Sequence, residues 1–205
     1  MTYPDPGQDG YPAAGYAVPP VMRPLPPKPT APDGQPLAEF SDRLLAYLVD
    51  VAVLFVASLI LMVPAFVGAF FVISNAFSKI QYDADGNAIN EPSLAAVALP
   101  LFAIYGGVLI LATLFNYLYE VEHALRRQGT TWGKRVMKIK IVPLAGSTAP
   151  LTRAMLVKRW LVFYVVAGFV PFFSWIDGLW QLWDQPYKQC LHDKWADTVV
   201  VKVAQ

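Results

Sequence analysis

The sequence predicts an all-α polytopic membrane protein: two transmembrane helices, a third apolar segment folded as a broken or re-entrant hairpin, and a small cytoplasmic β pairing. Three observations predict it. The 205-residue chain is 56% hydrophobic and only 15% charged, against roughly 25% charged in soluble domains. Its apolar residues gather in three long runs, each longer than the ~20 residues a helix needs to cross a hydrocarbon core, the third broken by Pro171 and Asp177. Its basic residues gather after the second run, as they do in loops that stay in the cytoplasm.

The elements follow in chain order. Residues 1–36 hold eleven of the eighteen prolines. Such a stretch cannot build a core and is expected to be a disordered cytoplasmic tail biased to polyproline II. It has no apolar h-region, so it does not read as a secretory signal. Pro24 to Pro27 forms a PxxP pattern that an SH3-like cytoplasmic partner can use, although a plain tether is the simpler reading. Residues 37–205 are read as the transmembrane domain, with helices at about 43–73, 95–119 and 156–183. Ser41 or Asp42 is suited to cap the first helix. Pro64 offers a kink within it.

Residues 74–94 are polar. Asp83, Asp85, Gly86 and Asn87 miss the spacing of a calcium loop, and a turn is expected there. In the second helix Gly106 and Gly107 permit close helix approach, and Asn116 is suited to a hydrogen bond with a neighbour. Tyr117 and Tyr119 suit the membrane interface. The third apolar segment has Pro171 near its middle and Asp177 soon after. Residues 138–142 and 198–203 are short β-type runs. Pairing them requires both ends of the third segment to lie on one side of the membrane, hence the hairpin. The tryptophans at 160, 175, 180 and 183 are expected near headgroups.

The formal net charge is +1, which argues against nucleic acid as a partner. The local distribution says more. Arg126, Arg127, Lys134, Arg135, Lys138, Lys140, Arg153, Lys158 and Arg159 form a basic stretch, and no acid occurs from His123 to Ile176. This loop is expected to be cytoplasmic and to face anionic lipid headgroups. The N-terminus is then cytoplasmic too, in a multi-pass chain. The single cysteine, Cys190, excludes an intrachain disulfide and any zinc site needing two thiolates.

Arg43 and Asp50 stand in the first spanning run. A charge near the bilayer centre costs about 2.5–3.5 kcal/mol on the insertion scale, so both need partners. Seven residues of helix place them on nearly the same face but about 10.5 Å apart. Helical side chains lean toward the N-terminus, so the two share a polar seam without touching. Glu120, Glu122 and Asp193 are the candidate partners from other segments. Together these five residues make a structural or ion-coupling cluster. Gly129 to Arg135 is not a P-loop, because only three residues separate its glycines and Arg follows the lysine. His123 and His192 are isolated in sequence. No catalytic constellation, metal site or cofactor motif is found.

Three blocks together resemble the RDD family of mostly bacterial membrane proteins. They are Arg43-x6-Asp50, the run GTTWGKRVMKIKIV at 129–142 and LHDKWADTVVV at 191–201. The family is named for one arginine and two aspartates, and the resemblance assigns these to Arg43, Asp50 and Asp193 rather than the nearby Asp197. A proline-rich tail resembles that of actinobacterial members. The resemblance implies a bacterial plasma-membrane location. It also raises a cation or proton transport role using Asp50 and Asp193, since some members look linked to sodium–proton antiport. The leading expectation is a non-enzymatic interaction or scaffold module held together by the buried cluster. Transport is the alternative, and it would need a homo-oligomer to enclose a path.

Overall fold

A computed structural model of the chain describes residues 29–203. The Pro24–Pro27 motif and most of the proline-rich tail lie outside them.

Helix α1 spans Phe40–Phe77. It starts one residue before the expected caps. Glu39 is the N-cap, and Asp42 completes a capping box by accepting the Glu39 N–H at 3.0 Å, which satisfies donors a helix start leaves orphaned. Pro64 lies inside the helix. At 1.5 Å per residue the helix is about 57 Å long. A hydrocarbon core is about 30 Å thick, so the first turns of α1 can lie outside it.

Residues 78–93 turn the chain. Asp83 Oδ1 accepts the backbone N–H groups of Asp85 and Asn87 at 3.0 and 2.7 Å. Gly86 adopts φ +83°, as the expected turn requires. Helix α2 then runs Leu94–Arg126, with Ser93 capping the Ala96 N–H. Its last third contains a π turn at Leu118–His123. The two helices pack antiparallel, closely enough that a Cβ on Gly68 would sit 3.4 Å from Ile104 Cδ1. Large apolar side chains such as Phe55, Ile60 and Phe102 are exposed on them. Both helices are long and apolar enough to cross a membrane, and outward apolar surface of this kind suits lipid, not water.

The remaining elements form a cap at one end of this hairpin. Helix α3 is Trp132–Val136 and strand β1 is Ile139–Pro143. Helix α4 starts as Arg153–Trp160 behind the Thr152 cap and continues through a π turn at Leu161–Val166 to Phe169. The chain bends at 170–172 around Pro171, where Phe172 takes φ +63°. It returns as α5, Phe173–Trp180. Helix α6 is Leu191–Trp195, and β2 is Thr198–Lys202. The two strands pair antiparallel, Ile139 opposite Lys202 and Pro143 opposite Thr198, as the sequence pattern predicted.

The free edge of β2 is covered from the N-terminal side. Ala38 N–H donates to Val200 O at 3.0 Å, and Lys202 N–H to Pro36 O at 2.9 Å. Ordered contacts therefore begin within the stretch read as tail. Ala31 and Leu37 pack with Val142, Val199 and Val201, which draws residues 29–38 onto the sheet. The main core gathers Ala46, Val121, Ala124, Ile139, Ile141, Leu156 and Val200. It ties the sheet and α4 to the adjacent ends of α1 and α2.

Two expectations within α2 change. Among the described residues nothing beyond the helix's own turn lies within 4 Å of a Cβ placed on Gly106 or Gly107, because α1 packs on another face. Tyr119 is buried rather than interfacial, because its hydroxyl is drawn to a carboxylate on α1. Asn116 does bond across helices, accepting from Trp160 Nε1 at 2.8 Å.

Candidate functional site: two carboxylate locks

Asp50 is only 3% exposed. It sits where α1 crosses the N-terminus of α3, a position with free backbone N–H groups and a favourable dipole for a carboxylate. Its Oδ1 accepts the Tyr119 hydroxyl at 2.5 Å and the Gly133 N–H at 2.8 Å. Its Oδ2 accepts the Thr131 hydroxyl at 2.5 Å, with Lys134 Nζ at 3.7 Å. Lys134 also lies 3.6 Å from Glu120.

Gly129 takes φ +87°, and a Cβ there would strike the Ile141 carbonyl. Thr131 is the N-cap of α3. Trp132 N–H donates to the Tyr119 hydroxyl at 3.2 Å. At Gly133 a Cβ would strike the Ala46 carbonyl and lie 2.9 Å from Asp50 Cγ. Only a glycine lets α3 approach α1 this closely.

Asp193 is fully buried and occupies the third residue of α6, where it accepts the Cys190 N–H at 3.1 Å as half of a capping box. Its Oδ2 also receives Arg43 at 3.0 Å. Its Oδ1 receives Arg159, with His192 Nε2 at 3.5 Å. Burial opposes ionisation of Asp193, but Arg159, His192 and Arg43 outweigh it and hold the carboxyl well below the usual range. Arg159 also donates to Thr198 Oγ1 at 2.6 Å. Arg43 reaches Val200 O at 3.5 Å, while its Nε has no hydrogen-bond partner among the described residues. A third acid, Asp177 of α5, is also fully buried. It accepts the His192 N–H at 2.8 Å and meets His192 Nδ1 at 2.5 Å.

The single predicted cluster is thus divided. Arg43 and Asp193 meet. Asp50 and Glu120 share Lys134. Glu122 pairs with Arg153 at 2.8 Å and neighbours the Tyr117 hydroxyl. Among the described residues no hydrogen bond or ion pair joins Asp50 to Arg43 or Asp193, in keeping with the helical geometry. Asp197 is exposed, at φ +51°, and stands outside the locks.

The basic stretch also divides. Arg126, Arg127, Arg135, Lys138, Arg153 and Lys158 are exposed, while Lys134 and Lys140 are partly covered. Arg159 must be removed from the headgroup-facing set. It is 8% exposed because Asp193 draws it inward.

Sequence reasoning missed Tyr119, Thr131 and Gly133 as partners of Asp50, and Arg159 and Asp177 as members of the other lock. Thr131, a residue type favoured at helix N-caps, was a usable signal. Asp177, a lone acid in an apolar run, was another.

Cys190, His192 and Asp193 can bring three ligand atoms within 4.8 Å of one another. The set suits a metal poorly. Burial pushes the Cys190 thiol up, whereas a metal binds the thiolate. Both Asp193 oxygens are already held by arginines.

Residues 37–197, most of the chain, match the family model described as the RDD family. No curated protein and no solved structure matches the chain.

Proposed function

The chain belongs to the RDD family, and from that premise we propose that it is a non-enzymatic membrane scaffold in which two carboxylate locks fasten a cap to a helical hairpin. One observation carries this reading. Each oxygen of Asp50 and of Asp193 faces two donors or cations within 3.7 Å. Carboxylates so occupied are suited to fixing helices. An ion-carrying acid needs a vacant approach, and the donors around these two come from five segments, α1, α2, α3, α4 and α6 with its cap, which would have to part.

In this reading α1 and α2 cross the bilayer and the cap lies on the cytoplasmic side. Its exposed Arg126, Arg127, Arg135, Lys138 and Lys158 support that side by the positive-inside tendency. They also make anionic headgroups the natural contact. The N-terminal end of α1 is joined to the cap, so the proline-rich tail emerges in the cytoplasm, available to a partner. The third apolar segment begins and ends on the cap side, because the strands before and after it are paired. Family resemblance supports a bacterial plasma membrane.

Proton flux in reconstituted vesicles under sodium and potassium gradients tests the reading. The native chain is expected to give none, and Asp50→Asn is expected to lower the melting temperature in detergent. Cation-driven flux in the native chain, lost in Asp50→Asn without loss of folding, would replace the scaffold by a transporter.

A further inference from the structure

Helix α5 and the bend before it have their polarity reversed. Asp177, Gln181 and Asp184 recur at helical spacing and are buried. Each finds partners inside: Asp177 at His192, Gln181 at the Gly178 carbonyl, and Asp184 at Gln189 N–H and Lys194 Nζ. The outward positions are aromatic or aliphatic. Phe169 is 84% exposed and Trp175 70%, with Phe172, Ile176 and Trp183 also exposed. Asp177 is the only charged residue from 160 to 183, and it is buried. A surface segment in water sorts its residues the other way.

The depth of the bend can be read from its neighbours. Helix α4 runs beside α1 in the same direction. Arg159 and Arg43 share Asp193, and four residues later Phe163 meets Tyr47 edge-on at 5.7 Å. Against α2, Trp160 packs on Tyr117 at 5.4 Å. Six further helical residues carry Phe169 about 9 Å beyond Phe163, away from the cap and along the lipid-facing stretch of α1. This is a fraction of the ~30 Å core, after which Pro171 turns the chain back.

The geometry points to a lipid-docking surface: residues 169–183 insert into the acyl-chain region of the cap-side leaflet, aromatic face outward, and do not cross it. The occupant is lipid because the surface continues the apolar exterior of α1 and carries no exposed charge for an aqueous partner. The polar stripe with Asp177 faces inward and keeps the arm fastened to α6. Unpaired backbone donors are costly in hydrocarbon, and few remain at the bend: Val170 N–H donates to Val166 O at 2.9 Å, Phe173 N–H to Val170 O at 3.2 Å, and Pro171 has no N–H. This holds whether or not the locks move ions.

Spin labelling tests it. Phe169→Cys and Trp175→Cys are placed singly in a full-length Cys190→Ser chain and reconstituted in phosphatidylcholine–phosphatidylglycerol vesicles. Ile60→Cys serves as the lipid-exposed reference and Asp85→Cys as the aqueous one. Labels at 169 and 175 are expected to collide with oxygen as at 60, and with a water-soluble nickel chelate severalfold less than at 85. Nickel access equal to that at 85 overturns the proposal. Low access to both reagents with spin–spin broadening also overturns it, and assigns the face to a second copy. If the labelled chains fail to fold, Trp175→Phe decides: quenching of total tryptophan fluorescence by bromolipid is expected to drop, and unchanged quenching refutes insertion.

Discussion

Gly133 donates its backbone N–H to Asp50 at 2.8 Å from a position where even a methyl group would meet the Ala46 carbonyl. The hydrogen bond and the close approach of α3 to α1 are therefore one feature. Gly133→Ala must push the two apart, and overpacking of this kind costs about 1–3 kcal/mol. Gly106→Ala, in open space on α2, is expected to leave stability unchanged or raise it slightly, because glycine is a poor helix former. Thermal unfolding of the two variants in one detergent checks the contrast.

Asp193 is the counter-charge of two arginines that enter from different ends of the sequence. Replacing it with Asn leaves Arg43 and Arg159 without their anion. Breaking a buried pair from one side costs about 3–5 kcal/mol. Asp193→Asn is therefore expected to be among the most damaging single changes in the cap. By contrast, Glu122→Gln disrupts a pair whose arginine is 62% exposed, where about 0.2–1 kcal/mol is usual. Expression level and melting temperature should rank the two in that order.

The parts of this fold legible in sequence are those with a period or a charge. Long apolar runs announced α1 and α2, and β-type residues at 138–142 and 198–203 announced the sheet. Arg43 and Asp50 were legible because hydrocarbon makes any charge conspicuous. Their partners were less so. Asp50 is held mainly by neutral groups, a tyrosine and a threonine hydroxyl and a glycine N–H, which carry no charge signal. Arg159 was hidden in a run of basic residues, and only packing distinguishes it from its exposed neighbours. Tyr119 was misplaced because a tyrosine at the end of a spanning helix usually serves the interface. The π turn at Leu118–His123 that carries it leaves no mark in sequence.

Tyr119 links two elements through one oxygen. It donates to Asp50 at 2.5 Å and accepts the Trp132 N–H at 3.2 Å. Tyr119→Phe keeps the ring and removes both bonds. Loss of a hydrogen bond to a charged group costs about 1.5–3 kcal/mol, and a drop of that size is expected in denaturant unfolding. Thr131→Val, which removes the other short hydroxyl bond to Asp50 and the cap of α3, is expected to cost a similar amount. The double variant should lose less than the sum, because both hydroxyls serve the same carboxylate.

The acid response follows from Asp193. Burial raises its carboxyl, but Arg159, His192 and Arg43 together hold it well below the ordinary aspartate range. A group with a depressed folded value binds its proton more weakly in the native state than in the unfolded chain. Its contribution is therefore complete above the unfolded value and is lost as the pH falls through the folded one. Stability should stay flat, as far as this group is concerned, down to about pH 5 and decline below about pH 4, near the unfolded aspartate value. Asp193→Asn has no such proton to bind, so its melting temperature, already lower at neutral pH, should fall less steeply in that acidic window. Melting curves of both chains from neutral pH to pH 3 measure the difference. Parallel slopes would mean that the two arginines do not stabilise the ionised form of Asp193.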